Sequence, residues 1–157
     1  MTRPPGQRGF TLMEMVVTLA LLGLLAMLAA PLAELTVQRA REDELRQALR
    51  EIRTSLDRYK TAADHGLIER KVGDSGYPPD LETLVSGVRN QKSPGREPLY
   101  FLRRIPRDPM ALPGSDGSWG LRSYASSAAD PAPGLDVFDV YTRAAGNGLD
   151  GRPYREW

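Results

Sequence analysis

The sequence predicts an α+β fold in which a long N-terminal α-helix, transmembrane in its first half, packs on a small C-terminal antiparallel β-sheet. Three observations carry that expectation. From Phe10 to Ala33 the chain is almost wholly apolar, with Glu14 the one ionisable side chain in those 24 residues. Further on, Leu45, Leu49, Ile52, Leu56, Tyr59 and Ala63 recur at alternating steps of four and three, which sets them on one stripe of a helix. The C-terminal quarter then offers three short segments rich in β-branched and aromatic residues, separated by Gly, Pro and Asp turn signals.

In chain order, residues 1–9 form a leader, 10–33 an apolar helix, 34–64 its amphipathic continuation and 65–157 a globular domain. The leader, MTRPPGQRG, carries Arg3 and Arg8 and no acid. The apolar run, as a helix, would extend about 36 Å. That is enough to cross a hydrocarbon core of roughly 30 Å with some tilt, and the basic flank predicts that the leader stays cytoplasmic while the rest of the chain crosses the inner membrane. An ordinary secretory signal has a shorter apolar region with a small-residue cleavage site after it; here Gly9 stands before the run. An unpaired carboxylate in such a span costs about 2.5–3.5 kcal/mol, so Glu14 reads as a functional group with a partner. The alternative is a side chain that snorkels to the interface. Pro31 removes one helix hydrogen bond and predicts a kink or a weak point.

No other breaker separates the apolar run from the stripe, so one helix of about 55 residues, roughly 80 Å long, is expected. Its remaining faces carry charges of both signs, Arg39, Glu42, Arg46, Arg50, Arg53 and Asp57 among them. These are expected in solvent, with pairing between subunits left open. Three heptads followed by a Pro/Gly-rich region favour docking onto a domain over a coiled coil. His65-Gly66 ends the helix, His65 being a cap or surface residue rather than a catalyst.

Asp80 is placed to cap a short helix over residues 81–85, and residues 86–98, with Pro94 and Pro98, read as a loop. The pair Pro106 and Pro109 predicts a rigid crossing from the helical layer to the sheet. Strands are expected over 119–126 and 137–142 and, as a weaker edge, over 153–157. Asp136, Asp139, Asn147 and Asp150 surround the Gly-rich turn of the last segment. Carboxylate, amide and backbone carbonyl oxygens are the ligands Ca²⁺ takes, although the spacing is not that of an EF-hand. The same residue types are also ordinary turn formers.

Composition narrows the function. Lys and Arg number 21 against 20 Asp and Glu, and loss of the two leader arginines would bring the balance to −1. No nucleic-acid surface is expected from such a balance. The absence of cysteine excludes disulfides and thiolate metal sites. One histidine, with no nucleophile elbow, phosphate loop or zinc spacing, argues that the chain is not an enzyme.

Gly9-Phe10-Thr11-Leu12-Met13-Glu14 resembles the processing site of type IV prepilins and type II secretion pseudopilins: a short basic leader, Gly, Phe, and Glu five residues into the mature chain. The resemblance implies cleavage at Gly9/Phe10 by a membrane prepilin peptidase and N-methylation of Phe10. The freed amine has an ordinary pKa of ~8 and is positive near neutral pH. A helix cannot fold its first residue back onto Glu14 without losing its first turn. The natural partner of Glu14 is therefore the amine of a neighbouring copy, paired inside an apolar bundle of staggered helices.

Farther along, YPPDLETL (77–84) and FLRRIPRDP (101–109) resemble the G-type, major pseudopilin, in which a short helix leads to a Leu/Ile-Pro-x-Asp-Pro turn. Met110 stands where an aromatic is common in that family, and Trp119 is expected to fill its pocket. Asp139-Val140-Tyr141-Thr142 resembles the family strand beside a calcium loop, which implies Ca²⁺ with Asp139 and Asp150 foremost among the ligands. AAGNGLDG (144–151) replaces the family's acid-rich loop.

The resemblance implies a pilin-like fold and a structural subunit of the type II secretion pseudopilus, a periplasmic filament that drives export through an outer-membrane secretin. The partners it implies are further copies of the chain in a homopolymer, minor pseudopilins, prepilin peptidase, the inner-membrane secretion platform, and membrane lipid before assembly. The place it implies is the bacterial inner membrane, single-pass, with the C-terminal domain periplasmic. Two other readings stand beside it: a type IV pilus major or minor pilin used in adhesion, motility or DNA uptake, and a periplasmic binding protein that keeps an uncleaved anchor.

Overall fold

Helix-favouring residues run without a glycine pair or a turn cluster from Leu12 to Asp64, and the chain forms one 53-residue helix there, α1. The computed structural model describes residues 9–95, 97–112 and 114–157, the side chains of 28–32 excepted. The expected leader up to Arg8 and the side chain of Pro31, at which a kink is expected, lie outside the described residues. Two compact units divide the chain, Met1–Arg39 and Ala40–Trp157.

In the first unit the described apolar side chains stand exposed on every face of the helix, from Leu12, Met13, Val16 and Val17 to Leu24, Leu25 and Met27. A helix apolar all round suits lipid or other helices rather than water. Among the described residues no helix is long and apolar enough to cross a membrane. The expected span over 10–33 passes into residues 28–32, whose side chains are not among those described.

The second unit is built on the stripe. Leu45, Leu49, Ile52, Leu56, Tyr59 and Ala63 are all buried, and each large apolar side chain removed from water contributes about 1.5–3 kcal/mol. Ile68, Leu81, Leu84, Leu102, Trp119, Val137, Val140 and Tyr154 join them in the core, with Ala48 and Ala62 of the helix. The helix ends in a Schellman motif: the Leu67 N–H donates to the Ala62 carbonyl at 2.9 Å and the Gly66 N–H to that of Ala63 at 3.0 Å. Gly66 sits at φ 68°, the left-handed conformation that the motif requires. His65 is exposed beside it.

Asp80 caps the short helix α2 (Glu82–Ser86) through its Oδ1, which accepts the Thr83 N–H at 2.7 Å. Two antiparallel ladders follow, β1 (Val88–Arg89) with β2 (Pro98–Leu99) and β3 (Gly120–Arg122) with β4 (Asp139–Tyr141). The first lies in a stretch expected as loop. The second is shorter than expected because its flanks bond elsewhere. The Ser123 N–H turns to the Ala132 carbonyl and the Val137 N–H to that of Pro78. The expected edge over 153–157 is a 3-10 turn, Tyr154–Glu156, joined to the loop by a single bridge between Asn147 and Pro153. Gly120 faces Tyr141 across the second ladder. The tyrosine ring occupies the place of any side chain there, so only glycine fits.

The proline crossing is held from two sides. The Trp119 indole N–H donates to the Pro106 carbonyl at 2.8 Å. Asp108, 2% exposed, accepts the Met110 N–H and the Thr142 hydroxyl. Trp119 is buried while Met110 packs half-buried against the core, so the tryptophan supplies the aromatic of this corner.

Candidate functional site

The N-terminal motif is laid out by one cap. The Thr11 hydroxyl accepts the Glu14 N–H at 3.2 Å, and the Thr11 carbonyl accepts that of Met15 at 3.2 Å. Thr11 thereby satisfies a donor that helix starts leave open. Gly9 and Phe10 precede the helix and are exposed, Phe10 at 74%. Glu14 falls in the first turn, where the helix dipole favours a negative charge. Among the described residues its carboxylate has no hydrogen bond or ion pair. The Thr18 hydroxyl donates back to the carbonyls of Glu14 and Met15, both at 2.9 Å, so it presents no open donor to an apolar neighbour. Gly9, Phe10 and Glu14 are thus gathered at one helix end. Chemically, that end offers an accessible peptide bond and, within one turn of it, an acceptor for a cation.

The four oxygen-bearing residues of the C-terminal region are not gathered. Asp136 accepts the Tyr124 N–H at 2.8 Å. Asp139 binds Arg53 Nε through Oδ1 at 2.7 Å and Arg122 through Oδ2 at 3.2 Å. Asn147 pairs with Pro153 in the isolated bridge. Asp150 binds the backbone N–H of Arg152 at 3.1 Å and its Nε at 3.0 Å, and that amide, then the guanidinium, holds its carboxyl below the usual carboxylate range. Among the described residues no three acidic or histidine side chains are disposed to hold a metal ion. The donor set expected for Ca²⁺ does not fit one.

Two helix residues expected in solvent instead tie α1 to this region. Glu42, 2% exposed, accepts the Leu149 N–H at 2.9 Å and the Tyr154 hydroxyl at 3.0 Å through Oε1. Arg53 donates to Asp139, to the Val140 carbonyl at 3.1 Å and to the Trp157 main-chain oxygen at 2.7 Å. A signal for Glu42 exists in the sequence: extending the stripe one step of three before Leu45 lands on it.

Comparison with known proteins bears on the first of these sites. Residues 4–30 match the family model described as the prokaryotic N-terminal methylation motif. The chain is 27% identical to the type II secretion system core protein G of Klebsiella michiganensis, over 85% of this chain and 92% of that one. It is 28% identical to the core protein G of Dickeya chrysanthemi, over 90% of each, and 29% identical to that of Pectobacterium carotovorum, over 83% and 81%. The chain is similar to the G-type pseudopilins of type II secretion. No solved structure matches it. In this pseudopilin-like chain the motif begins at Pro4 and takes in the capped helix start and most of the exposed apolar helix, while the wider likeness takes in the second unit as well.

Proposed function

We propose that this chain is a structural subunit of a type II secretion pseudopilus, made as a precursor, trimmed by prepilin peptidase between Gly9 and Phe10, and methylated on the new Phe10 amine. One observation supports the reading above all. A helix start capped by Thr11 and bearing Glu14 follows directly on an exposed, non-helical Gly9–Phe10 bond. A peptidase needs accessible extended backbone, and ordered stacking needs a carboxylate within reach of a neighbour's amine. The same six residues offer both.

Before assembly the apolar half of α1 rests in the inner membrane as a single pass, with the second unit on the periplasmic side. On assembly it exchanges lipid for sibling helices, and Glu14 takes the Phe10 amine of the next copy. The subunit acts as a building block rather than a catalyst. Its partners are further copies, minor pseudopilins and the inner-membrane platform. Mass spectrometry of the protein purified from membranes tests the reading. A chain beginning at N-methylated Phe10 is expected, and an intact Met1 start would overturn it.

A further inference from the structure

The acids at which calcium is expected are engaged inside the chain, and the group that engages the central one is a cation. Arg53 aims three of its nitrogens at three oxygens: the Asp139 carboxylate at 2.7 Å, the Trp157 main-chain oxygen at 2.7 Å and the Val140 carbonyl at 3.1 Å. One side-chain carboxylate and two main-chain oxygens around a positive centre make the kind of oxygen set a divalent ion collects. Here a guanidinium collects it, with donors in a fixed fork. The second Asp139 oxygen goes to Arg122, so both its oxygens face cations of the chain.

Three helical turns earlier, Glu42 treats the same region in the opposite sense, collecting the Leu149 N–H and the Tyr154 hydroxyl. Residues 42 and 53 are eleven apart, which returns a helix to nearly the same face. One face of α1 therefore grips strand β4 with a guanidinium and the loop after it with a carboxyl group. The loop needs no exchangeable ion to be held.

We infer that the Arg53 guanidinium stands in this chain where a loop-closing divalent cation would otherwise stand, so that closure of residues 139–157 onto α1 is independent of calcium. The inference concerns the fold of the second unit and holds whether or not the chain assembles into a filament.

The test uses the full chain in detergent micelles. Titration of the wild-type protein with calcium chloride in a calorimeter is expected to give no saturable heat. Its near-ultraviolet melting curve is expected to coincide in millimolar calcium and in chelator. R53M is expected to melt roughly 5–10 °C lower, and R53K, which keeps the charge but loses the fork, between the two. D139N is expected to lower the melting point and to add little to R53M, because the two share one interaction. A stoichiometric calcium site in the wild type, a melting point that falls on chelation, or an R53M chain as stable as wild type would each overturn the inference. Should R53M fail to fold, the calcium titration and the chelator melt of the wild type still decide.

Discussion

Replacing Glu42 by alanine takes away the one carboxylate oxygen that accepts both the Leu149 N–H and the Tyr154 hydroxyl. Hydrogen bonds to a charged acceptor contribute about 1.5–3 kcal/mol each. One of these donors is the loop amide of exposed Leu149, which solvent can partly serve, so the two losses together cost about 2–4 kcal/mol. For a unit of this size that lowers the melting temperature by roughly 8–15 °C. E42Q keeps an acceptor of the same shape without the charge and costs about 1 kcal/mol. Trp157 reports the change directly, since the Tyr154 ring packs edge-on against it at 5.2 Å and the Arg46 guanidinium lies over it at 4.2 Å. Denaturant titration followed by tryptophan fluorescence measures both variants. An E42A chain with an unchanged midpoint and slope would refute the claim that this buried acid holds the loop to the helix.

Three further outcomes are expected. E14Q and E14V chains are trimmed at Gly9 and found in the membrane but build no fibres on electron micrographs and export no cargo; normal fibres from either would remove the amine–carboxylate pairing. G120A forces a methyl into the Tyr141 ring and costs about 1–3 kcal/mol by overpacking, read as a lower thermal midpoint, whereas alanine at exposed Gly9 leaves that midpoint unchanged. Asp150 is held below its ordinary pKa by the Arg152 amide and guanidinium, so its contribution is present above the unfolded value of ~3.9 and is lost as pH falls through the lower folded one. The melting difference between wild type and D150N should therefore be full at neutral pH and close in acid; a difference that grows on acidification would contradict the assignment.

The site proposed to carry the function and the contacts that hold the domain differ in how far apart their parts lie. Gly9, Phe10, Thr11 and Glu14 sit within six residues, and a single cap fixes their arrangement. The C-terminal grip joins residues 86 to 112 positions apart. Disturbing the grip should thus affect stability and leave trimming intact, whereas a change at Glu14 should leave both stability and trimming intact and affect assembly.

The sequence by itself determined whatever depends on neighbours along the chain. The buried stripe from Leu45 to Ala63, the helix end at His65-Gly66, the cap at Asp80 and the motif from Gly9 to Glu14 all follow from periodicity or short-range hydrogen bonding, which a linear string records. Only the tertiary structure decided the rest. Whether Asp139 meets an ion or an arginine depends on where β4 lies against α1, and whether Glu42 faces water depends on a loop more than a hundred residues away. Strand lengths, too, were settled by competition, since Ser123 and Val137 give their amides to Ala132 and Pro78 rather than to a ladder. The stripe's spacing sets Glu42 on the inward face, but which partner then meets a charged side chain depends on distant segments whose arrival that spacing does not encode.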